Sequence, residues 1–154
     1  MDITELIGVD TVVPSLRVSS KKQALHELAR RSAELTGMSE RAIFDVLLER
    51  ERLGTTGVGN GIAIPHGKLP ELKKLHGLFA RLDQPINFDA IDDQPVDLIF
   101  LLLAPEGAGA DHLKALARVS RLLRDPQICQ KVRGSDNAEA IYALLANAAT
   151  NQAA

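Results

Sequence analysis

The sequence predicts an α/β domain in which helices cover both faces of a mixed, mainly parallel β-sheet. Two observations favour this class. Segments with helical periodicity alternate with segments of strand character, and one strand segment, LIFLLLA at residues 98–104, is apolar without interruption. A strand of that composition suits a sheet that is buried on both faces. No linker or internal repeat divides the 154 residues, so we expect a single domain.

The first predicted helix covers residues 19–37. Ser20 is placed to cap it, and Gln23 is the capping-box partner three residues later. Gly37 is placed to end the helix, because glycine adopts the left-handed conformation that often follows a last turn. The apolar stripe of this helix consists of Ala24, Leu25, Leu28 and Leu35.

A second predicted helix covers residues 39–54. Ser39 caps it, and Gly54 follows its last turn. Apolar residues recur four positions apart, which places them on one face of the helix. These pairs are Ile43 with Leu47 and Phe44 with Leu48.

The segment that follows, GTTGVGNGIAIPHGK at residues 54–68, holds five of the eleven glycines and ends near His66. A short strand is predicted within GIAIPH, and Pro65 limits its ladder pairing. Glycines let successive backbone N–H groups turn toward an anion. Thr55, Thr56 and Asn60 add side-chain donors. The composition is typical of an anion-binding loop or of a flexible connector.

Downstream, strands are predicted at residues 76–84 and 96–104, separated by a loop with two prolines. Three helices follow, at residues 110–125, 125–134 and 135–148, and residues 149–154 are predicted to be a frayed tail. The inward face of the first of these helices is expected to carry Leu113, Leu116, Ala117, Ser120 and Leu123. The next two helices have these predicted caps: Asp125 with Pro126 at the first helical position, and Asp136 paired with Glu139.

Composition excludes several classes of protein. The net charge is −2, there is no basic block, and only 3% of residues are aromatic, so nucleic-acid binding is not expected. No apolar run approaches the roughly 20 residues that a membrane helix needs, and the N-terminus lacks a signal-peptide pattern. The lone Cys129 forms no internal disulfide and is expected to be a small buried hydrophobe. We therefore expect a cytoplasmic protein without membrane insertion.

Three residues are the candidates for chemistry. His66 ends the glycine-rich segment, where the backbone leaves room for a bulky partner. Arg50 lies just before that segment, and its guanidinium matches phosphate oxygens geometrically. His112 lies in the first turn of the helix after the buried strand, a place where open α/β sheets often bind ligands. His26 and His76 are expected to be structural or solvated.

The residues RERLGTTGVGNGIAIPHGK at 50–68 and GADHLKALARVSRLL at 109–123 resemble the mannitol/fructose-type enzyme IIA family of the bacterial phosphotransferase system. The similarity extends over nearly the whole chain and is greatest to the nitrogen-regulatory branch, the IIA-Ntr proteins. It implies one type-2 IIA domain over residues 1–148. It also implies the family fold, a mixed sheet between helices.

The resemblance further implies a role for each matching residue. His66 would be phosphorylated by an HPr-like phosphocarrier of the NPr type, and Arg50 and His112 would flank it. We expect Thr56, Gly57, Gly59 and Asn60 to bind the phosphoryl oxygens. No metal, nucleotide or other cofactor is required, because a phosphohistidine donor is already activated. The implied targets are regulated proteins such as sensor kinases or ion-transport regulators.

Two alternatives stay open at this point. The chain could be the IIA subunit of a fructose/mannitol-type sugar transporter, which passes phosphate to a IIB domain. The pair His66 and His112 could instead belong to a histidine-dependent phosphohydrolase or a two-histidine metal site. The second alternative is weaker, because no carboxylate has the spacing of a third ligand or a general acid.

Overall fold

The computed structural model describes residues 2–153, which form six strands, five α-helices and three short 3-10 helices. The strands are β1 (Val12–Leu16), β2 (Gly57–Gly59), β3 (Ile62–Ala63), β4 (His66–Leu69), β5 (His76–Ile86) and β6 (Val96–Pro105). The α-helices are α1 (Lys21–Thr36), α2 (Glu40–Leu53), α3 (Gly109–Leu123), α4 (Pro126–Arg133) and α5 (Ala138–Ala153). The 3-10 helices are Ile3–Glu5, Val9–Thr11 and Glu106–Ala108. No helix within residues 2–153 has both the length and the apolar character needed to cross a membrane.

The six strands form one mixed, mostly parallel sheet in the order β1-β5-β6-β3-β2, and β4 also pairs with β6. Strand β1 runs parallel to β5, and both β3 and β4 run parallel to β6. The pairs β5–β6 and β2–β3 are antiparallel. Because β5 occupies one edge of β6, β3 and β4 must follow one another along its other edge. The predicted fold class is confirmed.

Strand β6 is buried on both faces, as its continuous apolar run predicted. Ile99, Leu101 and Leu103 belong to the core cluster that includes α1 and α2. Their alternating neighbours Leu98, Phe100 and Leu102 belong to a second cluster that includes α3, α4 and α5. Successive side chains of a strand point to opposite faces, so this one strand anchors both cores.

Helix α1 begins and ends with the predicted caps, but two of its side chains differ from the prediction. Ser20 Oγ accepts a hydrogen bond from the Gln23 N–H at 3.1 Å, and Gly37 ends the helix with φ 76°. The Gln23 side chain, however, accepts from the Ser19 N–H at 2.6 Å instead of completing a capping box with Ser20. Leu35 is 43% exposed. The apolar stripe predicts the direction of that side chain but not whether another element covers the last turn.

Helix α3 turns a face to the core that matches the prediction only in part: Leu123 is buried and Leu116 half-buried, as expected, whereas Leu113 and Ala117 are exposed. Its buried residues are His112, Ala115, Val119, Leu122 and Leu123. Leu113 is 69% exposed, although it was expected to face inward. Both the predicted and the observed sets have three- and four-residue spacing, so helical periodicity does not separate them. The tertiary contacts select the face that carries His112.

The C-terminal region follows the prediction in part. Asp125 caps α4 and accepts from the Gln127 N–H at 3.0 Å, with Pro126 at the first helical position. Helix α5 begins later than expected, because the Asn137 side chain, not that of Asp136, accepts from the Ala140 N–H at 3.0 Å. The helix then continues through residues 149–153, which were assigned to a frayed tail. Alanine favours helix, and its high content here supports this extension. Ala154 lies outside the described residues.

Several strand features were not predicted, among them β4, which begins where the predicted strand GIAIPH ends. Strand β1 contains Pro14 and the polar Ser15, which weaken its strand pattern, and it lies at the edge of the sheet beside β5. Strands β2 and β3 form a hairpin within the glycine-rich segment. Its two-residue turn is Asn60-Gly61, with φ 56° and 80°. An Asn-Gly pair with positive φ at both residues is the favoured turn of a tight hairpin.

Candidate functional site

The ring of His66 is held between a hydrogen-bond acceptor and a hydrogen-bond donor. Its Nδ1 lies 2.8 Å from the carbonyl oxygen of Ile64, and its Nε2 lies 3.2 Å from Arg50 Nε. The carbonyl oxygen can only accept, and the guanidinium can only donate. The proton of the neutral ring is therefore on Nδ1, and Nε2 presents its lone pair to Arg50.

Backbone pairing fixes where this ring sits. His66 is the first residue of β4 and pairs with Leu102 in the middle of the buried strand β6. Just before it, the Pro65 carbonyl oxygen accepts from the Leu102 N–H at 3.0 Å. The proline lacks an N–H, but its carbonyl still completes the ladder. His66 is thus attached directly to a strand that is buried on both faces.

Gly67 lets α2 approach β4 closely. A Cβ atom at this position would overlap Cγ1 of Val46 on α2. The missing side chain therefore permits the close helix–strand contact that carries the end of α2 to His66. This packing role accounts for a glycine beside the histidine without an anion loop.

Arg50 reaches His66 from the last turn of α2. Its Nε donates to His66, and its Nη1 donates to the Gly54 carbonyl oxygen at 2.9 Å. The guanidinium is therefore anchored at one nitrogen while another faces the imidazole. Arg52, two residues later, is exposed and pairs with Glu49 on the same helix. The two arginines of the ERERL run thus have different environments.

His112 is the second histidine beside the His66 ring. It lies in the first turn of α3 and is only 6% exposed. The two imidazole centroids are 5.8 Å apart, with the ring planes at 73°. Within the described part of the chain, His112 Nε2 is buried and has no hydrogen-bond partner. A buried polar atom of this kind costs free energy unless a ligand atom pairs with it.

Both histidines of the site favour the neutral form. Burial lowers the pKa of His66, and the Arg50 charge adds to this, while the Ile64 carbonyl and Glu51 partly oppose it. Burial also lowers the pKa of His112, with smaller effects from His66 and Lys68. Since an ordinary histidine titrates near pH 6.5, both rings are uncharged at neutral pH. An uncharged ring is the form that can act as a nucleophile.

The other two histidines have structural environments, in keeping with their prediction. The exposed His26 stacks on Phe44 with centroids 3.7 Å apart. Half-buried His76 lies with Nε2 3.1 Å from the Ser32 hydroxyl. Neither ring belongs to the group formed by His66, Arg50 and His112.

The structure does not bring the hairpin turn to His66. Asp97 donates its N–H to the Gly61 carbonyl oxygen, so the Asn60-Gly61 turn lies beside Asp97 at the start of β6. His66 pairs with β6 five residues later, which corresponds to about 16 Å along a strand. Gly59 and Asn60, predicted to bind phosphoryl oxygens, are therefore remote from the site. The Asn-Gly dipeptide was a sequence signal for the tight turn, but not for its distance from His66.

Thr56 and Gly57 lie nearer, but their N–H groups are already used. The Thr56 N–H donates to Glu51 Oε1 at 3.0 Å, and the Gly57 N–H donates to Thr55 Oγ1 at 3.0 Å. The expected nest of free N–H groups is not formed by these two residues. Thr56 instead links the glycine-rich segment to the end of α2.

Glu51 and Lys21 are site neighbours that the sequence interpretation missed. Glu51 is 8% exposed, and Lys21 Nζ lies 2.9 Å from its Oε1. The available signal was weak: Glu51 follows the buried Leu47 by four residues, which puts it on the apolar face of α2. Among residues 2–153, no group of three or more His, Cys, Asp or Glu side chains could hold a metal ion.

Comparison with known proteins places this chain in a family. Residues 5–148 match the family model described as "Phosphoenolpyruvate-dependent sugar phosphotransferase system, EIIA 2". The chain belongs to this family. Members of the IIA family are components of a phosphotransferase, and the resemblance inferred from the two motifs is confirmed.

Individual relatives of this IIA protein point to the nitrogen-regulatory branch. A "Nitrogen regulatory protein" of Bradyrhizobium diazoefficiens is 66% identical over 146 residues, which cover 95% of each chain. The crystal structure of the nitrogen regulatory protein IIA-Ntr from Neisseria meningitidis matches with a TM-score of 0.88 at 36% identity, covering 93% of this chain and 98% of that one. The mannitol IIA of Escherichia coli shares the fold, with a TM-score of 0.78 at 18% identity over 90% of this chain and 98% of that one.

Proposed function

We propose that this IIA protein is a regulatory phosphocarrier that accepts a phosphoryl group on Nε2 of His66. The donor is an HPr-like phosphohistidine carrier of the NPr type. The observation that carries the proposal is the hydrogen-bond pair around the ring, which leaves the lone pair on Nε2 and points it at Arg50. A neutral imidazole with one fixed, available nitrogen is a suitable phosphoryl acceptor.

The transfer exchanges one P–N bond for another. The lone pair of His66 Nε2 attacks phosphorus, the P–N bond of the carrier breaks, and its electron pair returns to the carrier's imidazole nitrogen. His66 keeps the proton on Nδ1, and the Ile64 carbonyl oxygen stabilises the positive charge that develops on the ring. Because bond made and bond broken are alike, positioning and charge stabilisation supply most of the catalysis.

Arg50 supplies positive charge where the phosphoryl group arrives. Its Nε is 3.2 Å from the accepting nitrogen, so oxygens bonded to a phosphorus at Nε2 fall within reach of the guanidinium. The anchor from Nη1 to the Gly54 carbonyl oxygen limits how far the group moves. During transfer the Arg50 guanidinium therefore gives up its hydrogen bond to His66 Nε2 and binds the phosphoryl oxygens instead.

His112 supplies a hydrogen bond to the same group. Its buried Nε2 has no partner within the described residues and gains one when a phosphoryl oxygen arrives. This change favours the phosphorylated state over the free one, because the cost of the unpaired atom is relieved.

Regulation follows from the change in charge at this surface. A phosphoryl group adds close to two negative charges at neutral pH. Exposed Leu53 and Leu113 follow Arg50 and His112 closely in the chain. We infer that cytoplasmic target proteins, such as sensor kinases or ion-transport regulators, distinguish the two states at this surface. The relationship to nitrogen regulatory proteins supports a regulatory role.

The direct test is labelling by a phosphorylated carrier. Purified His66→Ala protein should show no acid-labile phosphate, whereas His26→Ala, a substitution at the exposed histidine on α1, should be labelled like the unsubstituted protein. Full labelling of the His66→Ala protein would remove the proposed acceptor.

A second experiment separates the regulatory role from sugar transport. The phosphorylated protein is mixed with IIB domains of fructose and mannitol transporters, and loss of its phosphate is followed. A regulatory carrier keeps the phosphate for much longer than a transport subunit does. Rapid discharge to a IIB domain would support the transport alternative, and rapid release of inorganic phosphate without a IIB domain would support a phosphohydrolase.

A further inference from the structure

A buried polar cluster lies directly behind the accepting histidine. The Glu51 carboxylate has almost no exposed surface and is paired with Lys21 Nζ at 2.9 Å. Lys21 is fixed in turn, because its Nζ lies 4.9 Å from the centroid of the Phe88 ring and 3.7 Å from Asp89 Oδ2. A buried carboxylate is costly unless it is paired and fully hydrogen-bonded. Lys21 and Thr56 supply this pairing for Glu51.

The carboxylate binds both donors of one residue. Glu51 Oε1 accepts from the Thr56 N–H at 3.0 Å, and Glu51 Oε2 accepts from the Thr56 hydroxyl. Thr56 is itself only 3% exposed. With both its backbone and its side chain held, Thr56 has little freedom to rotate. The start of the glycine-rich segment is thereby clamped to the end of α2.

Thr56 passes this constraint to the acceptor site through the backbone. Its carbonyl oxygen accepts from the Ile64 N–H at 3.0 Å. The carbonyl oxygen of Ile64 is the atom that lies 2.8 Å from His66 Nδ1. Three hydrogen-bonded contacts, joined through the backbone of Thr56 and Ile64, therefore connect the buried carboxylate to the ring nitrogen that carries the proton.

We propose that Glu51 and Thr56 are positioning residues for phosphoryl transfer, which hold the Ile64 carbonyl so that His66 keeps its proton on Nδ1 and its lone pair on Nε2. This inference rests on the proposed function, since it assigns a role within that same transfer. Neither residue touches the reacting atoms. Their contribution is to keep one tautomer and one ring orientation, which is the usual task of groups behind a reactive imidazole.

Thr56 offers a matched pair of substitutions in the full-length protein. Thr56→Val keeps the shape but removes the hydroxyl, so Glu51 Oε2 loses its donor. Thr56→Ser keeps the hydroxyl. For Thr56→Val we expect a mixture of His66 tautomers by ¹⁵N NMR and about tenfold slower phosphorylation by the carrier. Thr56→Ser should restore both to the values of the unsubstituted protein.

Glu51→Gln tests the carboxylate itself, and Glu49→Gln is its control on the exposed face of α2. We expect the Glu51 substitution to change the tautomer ratio and the transfer rate in the same direction as Thr56→Val, and the control to change neither. Should Glu51→Gln fail to fold, the two Thr56 variants decide the question alone. A single Nδ1–H tautomer and an unchanged rate in Thr56→Val would overturn the proposal.

The tautomer measurement separates this inference from the proposed function. It is made on unphosphorylated protein and needs no carrier. If the unsubstituted protein is never phosphorylated, the proposed function fails, while the NMR comparison still reports whether the connection from Glu51 controls the His66 ring.

Discussion

Arg50 Nε donates a hydrogen bond to His66 Nε2 at 3.2 Å, so the guanidinium covers the ring nitrogen that carries the lone pair. The same guanidinium is tied to the Gly54 carbonyl oxygen through Nη1. The structure thus places a cation directly at the nitrogen that we propose as the acceptor. An incoming phosphoryl group would displace this hydrogen bond and find the cation already in position.

Arg50→Ala should slow phosphorylation of His66 by about a hundredfold, because a guanidinium that stabilises transferring phosphoryl oxygens contributes at least this much. The substitution should also raise the pKa of His66, since the Arg50 charge lowers it. Single-turnover labelling and an NMR titration of the ring measure the two effects. Arg52→Ala is the control, because Arg52 is exposed and pairs with Glu49. Unchanged values of both quantities in Arg50→Ala would contradict the assignment.

His112→Ala should slow the transfer by about tenfold while leaving the free energy of unfolding within about 1 kcal/mol of the original. The lost contacts of the ring are offset by removal of a buried nitrogen that has no partner within the described residues. Labelling kinetics and urea denaturation give the two numbers. The exposed His26, changed to Ala, serves as the control. A rate equal to that of the unsubstituted protein would exclude the role of His112.

The free energy of unfolding should fall as the pH drops below about 6.5. Burial lowers the pKa of His66, His76 and His112 in the folded protein. Below the ordinary histidine pKa the unfolded chain therefore binds protons that the folded chain does not, and protons favour unfolding. The stability is fully present above pH 6.5 and declines below it by at most about 1.4 kcal/mol per pH unit for each histidine. Urea denaturation at pH 5.5, 6.5 and 7.5 measures the slope. A flat profile over this range would contradict the direction of the three shifts.

Gly67→Ala should destabilise the protein by about 1–3 kcal/mol, because the new Cβ overlaps Val46 Cγ1. The substitution should also slow phosphorylation, since it pushes α2, and Arg50 with it, away from β4. Adding Val46→Ala should recover part of both losses. Gly107→Ala is a matched control, because a Cβ there has no neighbour within 4 Å. Wild-type stability in Gly67→Ala would show that the helix adjusts without cost.

Asn60→Ala should leave the rate of phosphorylation within about twofold, because the hairpin turn lies about 16 Å along the sheet from His66. It should lower the free energy of unfolding by about 1 kcal/mol, since alanine is strained at a φ of 56°. Transfer kinetics and thermal unfolding test these opposite expectations. A strongly reduced rate would restore the phosphoryl-binding role that the sequence predicted for Asn60.

The glycine-rich segment shows which features a sequence pattern predicts and which it does not. Its composition correctly drew attention to His66, and the caps Ser20 and Ser39 correctly marked the two helices before it. The purpose of its glycines was not readable in the same way. Gly61 serves a tight turn, and Gly67 serves a close helix–strand contact. Both needs arise from pairing with distant segments, which an isolated stretch of sequence does not reveal.

By itself the sequence determined the fold class, the three residues that meet at the site and the resemblance to the family. These depend on residue chemistry and on local periodicity, which short stretches of the sequence contain. Only the tertiary structure decided which face of α3 turns inward, that the Asn60 turn lies away from His66, and that Glu51 is buried behind it. The physical reason is that burial, strand register and the tautomer of an imidazole are fixed by contacts between segments far apart in sequence, and those contacts exist only once the sheet has formed.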